Sequence, residues 1–87
     1  MILANRVIAV TGCAGFIGSH YTEALLARGN KVIGIDDLSA GKRAFLTESE
    51  RNPSFRFLEG DLLNMDLEAA LRGAEVLCHF AANPDVR

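Results

Sequence analysis

The stretch Val7-Ile8-Ala9-Val10-Thr11-Gly12-Cys13-Ala14-Gly15-Phe16-Ile17-Gly18 decides the fold of this 87-residue chain. An apolar run ends at Thr11, glycines follow every third residue, and apolar residues then recur at helical spacing, which predicts a strand, a tight turn and a helix N-terminus. Unpaired N–H groups and the helix dipole attract phosphate to such a terminus, and glycine leaves room for it. The stretch therefore predicts a dinucleotide-binding turn, although glycines at this spacing are also found in ordinary tight turns.

A second apolar segment, Val32-Ile33-Gly34-Ile35, ends in Asp36. This acid falls in the window, about 20 residues past the glycines, where a carboxylate bonds the adenosine ribose of a bound dinucleotide. A carboxylate there accepts from both ribose hydroxyls and repels a 2′-phosphate, which favours NAD over NADP. Lys42 and Arg43 lie close in sequence and are able to offset that repulsion, so NADP stays an alternative.

The rest of the chain is predicted to alternate between strands and helices. Strands are expected over residues 6–10, 31–35, 55–59 and 75–80, and helices over residues 16–28, 42–51 and 65–72. Such alternation requires a parallel sheet with right-handed crossovers. The strand order 3-2-1-4 makes half of a doubly wound α/β sheet, with its ligand site at the carboxyl ends of the strands. The glycine turn, Asp36, Asp61 and residues 81–83 all follow strand ends and are expected to converge there.

Several local features are predicted as well. The residues expected to face the sheet from the first helix are Ile17, Tyr21, Ala24 and Leu25, with the neighbouring Gly18. The other expectations are Gly29 and Gly73 as helix ends, Phe45 and Leu46 as anchors of the second helix, Asn64 as N-cap of the third, His20 as a surface or capping residue, and His79 as a core residue.

Composition describes an ordinary globular chain, with 49% hydrophobic residues, 23% charged residues and a net charge of −2. Neither a basic patch nor a basic amphipathic helix indicates nucleic acid or a membrane surface as a partner. The N-terminus lacks the pattern of a signal peptide, so we expect a cytoplasmic protein. The spacing of Cys13 and Cys78 does not fit a metal site, and both are expected to be reduced small hydrophobes.

Four motifs resemble, in order and spacing, the N-terminal half of the extended short-chain dehydrogenase/reductases. They are TGCAGFIGSH (11–20), DDLSAGKR (36–43), EGDLLN (59–64) and HFAANPDV (79–86). Within that superfamily they look most like the NAD-dependent nucleotide-sugar epimerases and dehydratases, such as the UDP-glucose 4-epimerases. The resemblance covers essentially the whole chain. It implies that residues 1–87 form the N-terminal half of a doubly wound Rossmann fold, as one truncated NAD-binding half-domain.

The resemblance also implies which residues bind NAD. The pyrophosphate turn is Gly12, Gly15 and Gly18, with backbone donors from Phe16 and Ile17. The adenosine is held by Asp36 at the ribose hydroxyls, by the loop residues Asp37, Leu38, Ser39 and Gly41, and by Asp61 and Leu62 around the adenine. The residues beneath the pyrophosphate and the nicotinamide ribose are Phe80, Ala81, Ala82 and Asn83. From the residues alone, Asp61 is also consistent with a carboxylate that bonds its own loop, and Ser39 and Gly41 with a simple turn.

Catalysis in such a family rests, by the same resemblance, on a Tyr-x-x-x-Lys pair downstream of the fourth strand. Tyr21 is followed four residues later by Leu25 and does not form that pair, so we expect no catalytic residue in this chain. Three hypotheses follow: the cofactor-binding part of a truncated epimerase or dehydratase that acts on a nucleotide sugar, a stand-alone non-catalytic NAD-binding module, or one chain of a split enzyme. The apolar fourth strand is expected to be an exposed edge, which predicts self-association.

Overall fold

The computed structural model describes residues 4–80 and contains the predicted alternation of strands and helices. The strands are β1 (Val7–Thr11), β2 (Lys31–Asp36), β3 (Phe55–Glu59) and β4 (Val76–His79). The α-helices are α1 (Phe16–Ala27), α2 (Thr47–Glu50) and α3 (Leu67–Ala70), and a 3-10 helix over Arg43–Leu46 leads directly into α2. All four strands fall within one residue or so of their expected bounds, whereas α2 and α3 are shorter than expected.

The four strands form one parallel sheet in the order β3-β2-β1-β4, which confirms the predicted topology. Thr11, the last residue of β1, pairs with Ile35 on one side and with His79 on the other. Asp36, the last residue of β2, pairs with Glu59. The register therefore brings the carboxyl ends of all four strands to one edge of the sheet.

The core is built around β1, whose residues Ile8, Ala9 and Val10 are fully buried. This strand has neighbours on both sides, and its β-branched residues suit a sheet that is covered on both faces. The buried apolar residues that surround it in β2, α1 and the segment before α2 are Val32, Ile35, Leu25, Leu26 and Leu46. Complete burial of one such side chain stabilises the fold by about 1.5–3 kcal/mol relative to exposure.

Helix α1 turns a different face to the sheet from the one expected. Its buried residues are Gly18, Ser19, Thr22, Leu25 and Leu26. The expectation was right for Gly18 and Leu25 and wrong for Ile17 and Ala24, which are exposed; Ile17 keeps 68% of its surface. Tyr21 keeps 37% of its surface, but its ring lies against Phe80 at the end of β4, so it sits at the margin of the face turned to the sheet. The helix end at Gly29 is confirmed by its positive φ of 83°.

Close packing at Gly18 explains the orientation of α1. A Cβ at this position would lie 2.1 Å from the carbonyl oxygen of Gly12, so no side chain fits between the helix and the end of β1. Because the helix touches the strand at Gly18, residues 19, 22, 25 and 26 share its buried face. The hydroxyls of Ser19 and Thr22 are satisfied inside the helix, since they donate to carbonyl oxygens one turn earlier at 3.0 and 2.8 Å.

The two short helices depart from the expectations in detail. Leu46 is buried, as expected, but Phe45 is exposed and packs edge-on against Phe16, with ring centroids 6.3 Å apart. The N-cap of α3 is Asp66, whose carboxylate accepts from the N–H of Ala69 at 3.1 Å, and the prediction of Asn64 was wrong. Among residues 4–80, no helix combines the length and apolar character needed to span a bilayer.

Candidate functional site

A cavity of about 590 Å³ opens at the carboxyl edge of the sheet. Its volume lies in the range of about 300–1,000 Å³ that is typical of small-molecule sites. It is lined by Gly12, Gly15, Ile35, Asp36, Asp37, Ser39, Ala40, Gly41, Gly60, Asp61, Leu62, Leu63, His79 and Phe80. The loops that follow all four strands therefore contribute to one cavity, as the sequence predicted for the strand ends.

The glycine turn forms one wall of this cavity. Gly12 has a φ of +71°, a conformation that favours glycine, and its N–H donates to the carbonyl oxygen of Ile35 at 2.8 Å. Gly15 lies on the cavity wall without a side chain, and its N–H donates to the carbonyl oxygen of Gly12 at 3.2 Å. The turn is thus tied to β2 and presents bare backbone to the cavity.

The N-terminus of α1 follows this turn directly. The cap residue Gly15 makes no side-chain capping bond, and the first turn of the helix holds no acidic residue. The N–H groups of that turn have no acceptor within the helix, and the dipole places partial positive charge there. The bare turn and this terminus together fit a phosphate group, and they fit the pyrophosphate of a dinucleotide.

Asp36 is held firmly where β2 reaches the cavity. One carboxylate oxygen accepts from the N–H of Ala14 at 2.9 Å, and the other accepts from the N–H of Leu38 at 2.8 Å. Leu38 itself has a φ of +64° and packs against the core. An ionised carboxylate offers about four lone-pair sites, so two remain for the hydroxyls of a ribose.

The loop after β2 forms a turn that is packed against the glycine turn and hydrogen-bonded to it. The Asp37 carboxylate accepts from the N–H and the hydroxyl of Ser39 at 2.9 and 2.7 Å, and these bonds lower the pKa of Asp37. A Cβ on Gly41 would lie 2.7 Å from the carbonyl of Ala14, and the N–H of Lys42 donates to that carbonyl oxygen at 2.9 Å. Ser39 and Gly41 therefore do form a turn, and both also line the cavity.

Asp61 also lines the cavity, from the loop after β3. Its carboxylate accepts from the N–H of Leu63 at 2.9 Å and from the side-chain amide of Asn64 at 3.3 Å. These are the contacts within its own loop that the sequence left open as an alternative. The same loop brings Leu62 to the cavity wall.

His79 is a cavity residue that the sequence analysis missed. The prediction of a core histidine was wrong, because His79 is exposed and its Nδ1 shares a hydrogen bond of 2.5 Å with the hydroxyl of Thr11. Exposure alternates along β4, with Leu77 and His79 outward and Val76 and Cys78 half-buried. The sequence itself does not show this alternation, because Val76, Leu77 and Cys78 are consecutive apolar residues, so hydropathy gave no signal for the exposure of His79.

The structure distributes the predicted NAD-binding residues among three groups. Those on the cavity wall are Gly12, Gly15, Asp36, Asp37, Ser39, Gly41, Asp61, Leu62 and Phe80. Those off the wall are Phe16 and Ile17, expected to lend only backbone donors, the buried Gly18, and Leu38, which is half-buried against the core. Those outside the described residues are Ala81, Ala82 and Asn83.

Tyr21 lies beside Phe80, with the two ring centroids 5.2 Å apart. The neighbouring Cys78 thiol raises the pKa of Tyr21, which keeps its hydroxyl protonated. Tyr21 itself is not among the residues that line the cavity.

Cys13 is fully buried in the glycine turn, and this burial, together with the charge of Asp36, raises the pKa of its thiol to about 12. A thiol in that state is a poor nucleophile and a poor metal ligand. Within residues 4–80, no three His, Cys, Asp or Glu side chains are grouped so as to hold a metal ion.

Comparison with known proteins places this geometry in a family. Residues 8–87 match the NAD dependent epimerase/dehydratase family. UDP-glucose 4-epimerase of Mycolicibacterium smegmatis is 42% identical over 80 residues, which cover 90% of this chain and 26% of that protein. UDP-glucuronic acid decarboxylase 4 of Arabidopsis thaliana is 34% identical over 82 residues, 88% of this chain and 18% of that protein.

A solved structure shares the fold as well. UDP-glucuronic acid 4-epimerase from Bacillus cereus, in complex with NAD, superimposes with a TM-score of 0.85 at 38% identity, over 93% of this chain and 28% of that protein. The chain thus spans about a quarter of the length of the epimerases it matches. The glycine turn, the parallel sheet and the family match over residues 8–87 all lead to the same assignment: the chain belongs to the NAD-dependent epimerase/dehydratase family.

Proposed function

We propose that this chain binds NAD in the cavity at the carboxyl edge of the sheet, as the cofactor-binding part of a nucleotide-sugar epimerase or dehydratase. One observation carries the proposal: a single continuous cavity has the bare glycine turn on one wall and the Asp36 carboxylate on another. A dinucleotide carries its pyrophosphate next to the adenosine ribose, so a site that binds it needs a phosphate-binding turn and a ribose-binding carboxylate in the same cavity. When bound, NAD supplies a hydride acceptor.

Each part of the cavity has a role in this proposal. The pyrophosphate lies against Gly12, Gly15 and the N–H groups at the start of α1, which offset its charge. The ribose hydroxyls donate to the free lone pairs of Asp36. Asp61 and Leu62 lie on either side of the adenine, and Phe80 lies toward the nicotinamide end. The roles of Ala81, Ala82 and Asn83 stay predictions.

The charges around the cavity support NAD rather than NADP. Three carboxylates, those of Asp36, Asp37 and Asp61, line it, and no lysine or arginine of residues 4–80 does. A 2′-phosphate on the ribose would lie close to the Asp36 carboxylate, and two negative charges at such a distance repel each other strongly in a partly desolvated site.

The substrate of the whole enzyme is proposed to be a nucleotide sugar. The relatives include a UDP-glucose 4-epimerase and a UDP-glucuronic acid decarboxylase, whose names share a UDP-sugar. The alternatives are a non-catalytic module and one chain of a split enzyme. The coding sequence downstream of this chain tests the choice between an enzyme and a module. A Tyr-x-x-x-Lys motif in that sequence favours an enzyme, and its absence favours a module. A cytoplasmic location stays a prediction.

Calorimetric titration of the 87-residue chain with NAD tests the binding proposal. Asp36→Asn keeps one acceptor oxygen but removes the charge, and we expect about tenfold weaker binding or more, because a hydrogen bond to a charged group contributes about 1.5–3 kcal/mol. Glu23→Gln, the same charge change on the exposed face of α1, serves as the control and should bind as the wild type does. Wild-type chain that binds no NAD, or an Asp36→Asn variant that binds it unchanged, would contradict the proposal.

We also propose that two copies of the chain associate through β4. This strand lies at the edge of the sheet, and Leu77 on it keeps 52% of its surface exposed. Pairing of two such edges across a two-fold axis satisfies their backbone groups and covers both leucines. Sedimentation should show dimers that Leu77→Lys abolishes and that Leu67→Lys, an equally polar change at an exposed leucine of α3, leaves intact. A wild-type monomer at all concentrations argues against this pairing.

A further inference from the structure

We propose that Glu50 holds the side chain of Arg43 away from the adenosine end of the cavity and thereby adds to the preference for NAD over NADP that the Asp36 carboxylate creates. The inference rests on the proposed function, because it assigns a specificity-determining role within the same site. Glu50 is a positioning residue in this account, since it acts through Arg43 and does not line the cavity.

The first support is the geometry of the ion pair. Arg43 follows Gly41, a residue of the cavity wall, by two positions. It is therefore one of the basic residues closest to the site in sequence. Its Nε lies 3.1 Å from one carboxylate oxygen of Glu50, and its Nη2 lies 3.2 Å from the other. This two-pronged arrangement fixes the plane of the guanidinium as well as its position.

The second support is an aromatic ring on the sheet. The guanidinium carbon of Arg43 lies 4.9 Å from the centroid of the Phe57 ring, within the range of a cation–π contact. Phe57 pairs with Gly34, two residues before Asp36 in β2. The guanidinium is thus held beside the middle of β3, and the carboxylate of Glu50 and the ring of Phe57 both keep it there.

The ring of Phe57, against which the guanidinium lies, precedes Glu59 by two residues in β3, and Glu59 pairs with Asp36, so Arg43 lies about two strand residues from the adenosine end. Its pKa is raised by Glu50 and also, more weakly, by Glu59, the residue that pairs with Asp36. A 2′-phosphate bound near Asp36 would attract this guanidinium, but Arg43 would have to leave Glu50 to reach it. Lys42, the other neighbouring base, has its ammonium 6.0 Å from the Phe45 ring. Release of Arg43 from Glu50 is therefore expected to admit NADP.

The test compares two glutamates of the same short helix. Glu50→Gln removes the partner of Arg43, and we expect the affinity for NADP to rise about five- to tenfold through new charged hydrogen bonds while that for NAD changes less than about twofold. Glu48→Gln is the matched control, because Glu48 instead lies 3.7 Å from Arg51. It makes the same change in net charge and should leave the NADP-to-NAD ratio at the wild-type value.

Two further variants identify the group responsible. Arg43→Ala added to Glu50→Gln should abolish the gain in NADP affinity, and Phe57→Leu should reproduce part of it by removing the ring. Titrations with NAD and with NADP, on samples whose circular dichroism matches the wild type, give the readout. A gain that survives Arg43→Ala, or a Glu50→Gln ratio equal to that of Glu48→Gln, would overturn the inference. If the wild-type chain binds NAD but Glu50→Gln leaves the NADP-to-NAD affinity ratio unchanged, only this inference is refuted. If the wild-type chain binds neither dinucleotide, the proposed function is refuted too.

Discussion

The β1–α1–β2 unit and the α3–β4 unit are built from similar elements but differ in how well they are packed. In the first unit Ile8, Val10 and Leu25 are buried between the sheet and the helix. In the second unit α3 contains no buried residue, and Leu67 and Leu77 keep 39% and 52% of their surface. The same strand–helix alternation thus gives a packed unit at one end of the described chain and an open one at the other.

The difference follows from helix length and from strand neighbours. Helix α1 has 12 residues and a glycine that lets it lie directly on β1, whereas α3 has four residues, too few for a helix that is stable without packing. Strand β1 has a partner on each side, but β4 lies at the edge of the sheet. We therefore expect the α3–β4 unit to open locally at a much lower free energy than the glycine-turn unit does.

The largest expected effect is that of Gly18→Ala in the packed unit. Its Cβ would lie 2.1 Å from the backbone oxygen of Gly12, and backbone cannot move aside as a flexible side chain does. We expect a loss of about 3 kcal/mol or more in the free energy of unfolding, measured by urea denaturation. Gly73→Ala is the counterpart in the turn between α3 and β4, where φ is +85° and nothing lies within 4 Å, and it should cost about 1 kcal/mol. Equal losses in the two variants would remove the distinction between the units.

Truncation of one leucine in each unit tests the same contrast with a smaller effect. Leu46 is fully buried against the β1–α1–β2 unit, and Leu67 in α3 is 39% exposed. Leu46→Ala should cost about 2–4 kcal/mol because it leaves a cavity, and Leu67→Ala less than about 1 kcal/mol. Urea unfolding followed by circular dichroism gives both values. A larger loss for Leu67→Ala would mean that α3 is packed more tightly than its exposure indicates.

The free energy of unfolding should decrease at alkaline pH because of the buried thiol of Cys13. Burial raises the pKa of this thiol from 9.0 to about 12, so above pH 9 the unfolded chain ionises while the native chain does not. The contribution of Cys13 to stability is therefore complete below pH 9 and is lost as the pH rises toward 12. Between pH 8 and pH 10 the stability should fall by about 1 kcal/mol, because over that interval only the unfolded chain loses the thiol proton. Cys13→Ala should show a correspondingly smaller loss over that interval, and an identical loss would exclude the thiol as its cause.

The elements that the sequence predicted well are those set by local pattern. Apolar runs bounded by glycine, asparagine or aspartate located all four strands, and the glycine spacing located the start of α1 at Phe16. Asp36 was placed at the cavity because parallel strands bring their carboxyl ends to one edge. These inferences need only the neighbours in sequence and one rule of topology.

The elements that were missed depend on close approach and on distant partners. Hydropathy favoured Ile17 and Ala24 for the buried face of α1, but the close approach at Gly18 selects the face of Ser19 and Thr22, whose hydroxyls bond within the helix. The pairing of Arg43 with Glu50 was equally hidden, because it bridges a 3-10 helix and an α-helix that the sequence showed as one loose segment.

The hydrogen bond between Thr11 and His79 joins β1 of the packed unit to β4 of the open one, and its removal should change stability less than any of the substitutions in the packed core. Thr11→Val keeps the shape of a buried side chain and removes its hydroxyl. Since His79 is exposed, water replaces the lost partner, and we expect unfolding free energy to change by less than about 1 kcal/mol. The His79 ring resonances should shift in NMR spectra, because Nδ1 loses the partner that selects its tautomer. A loss above about 2 kcal/mol would show instead that the two units unfold as one and that this bond couples them.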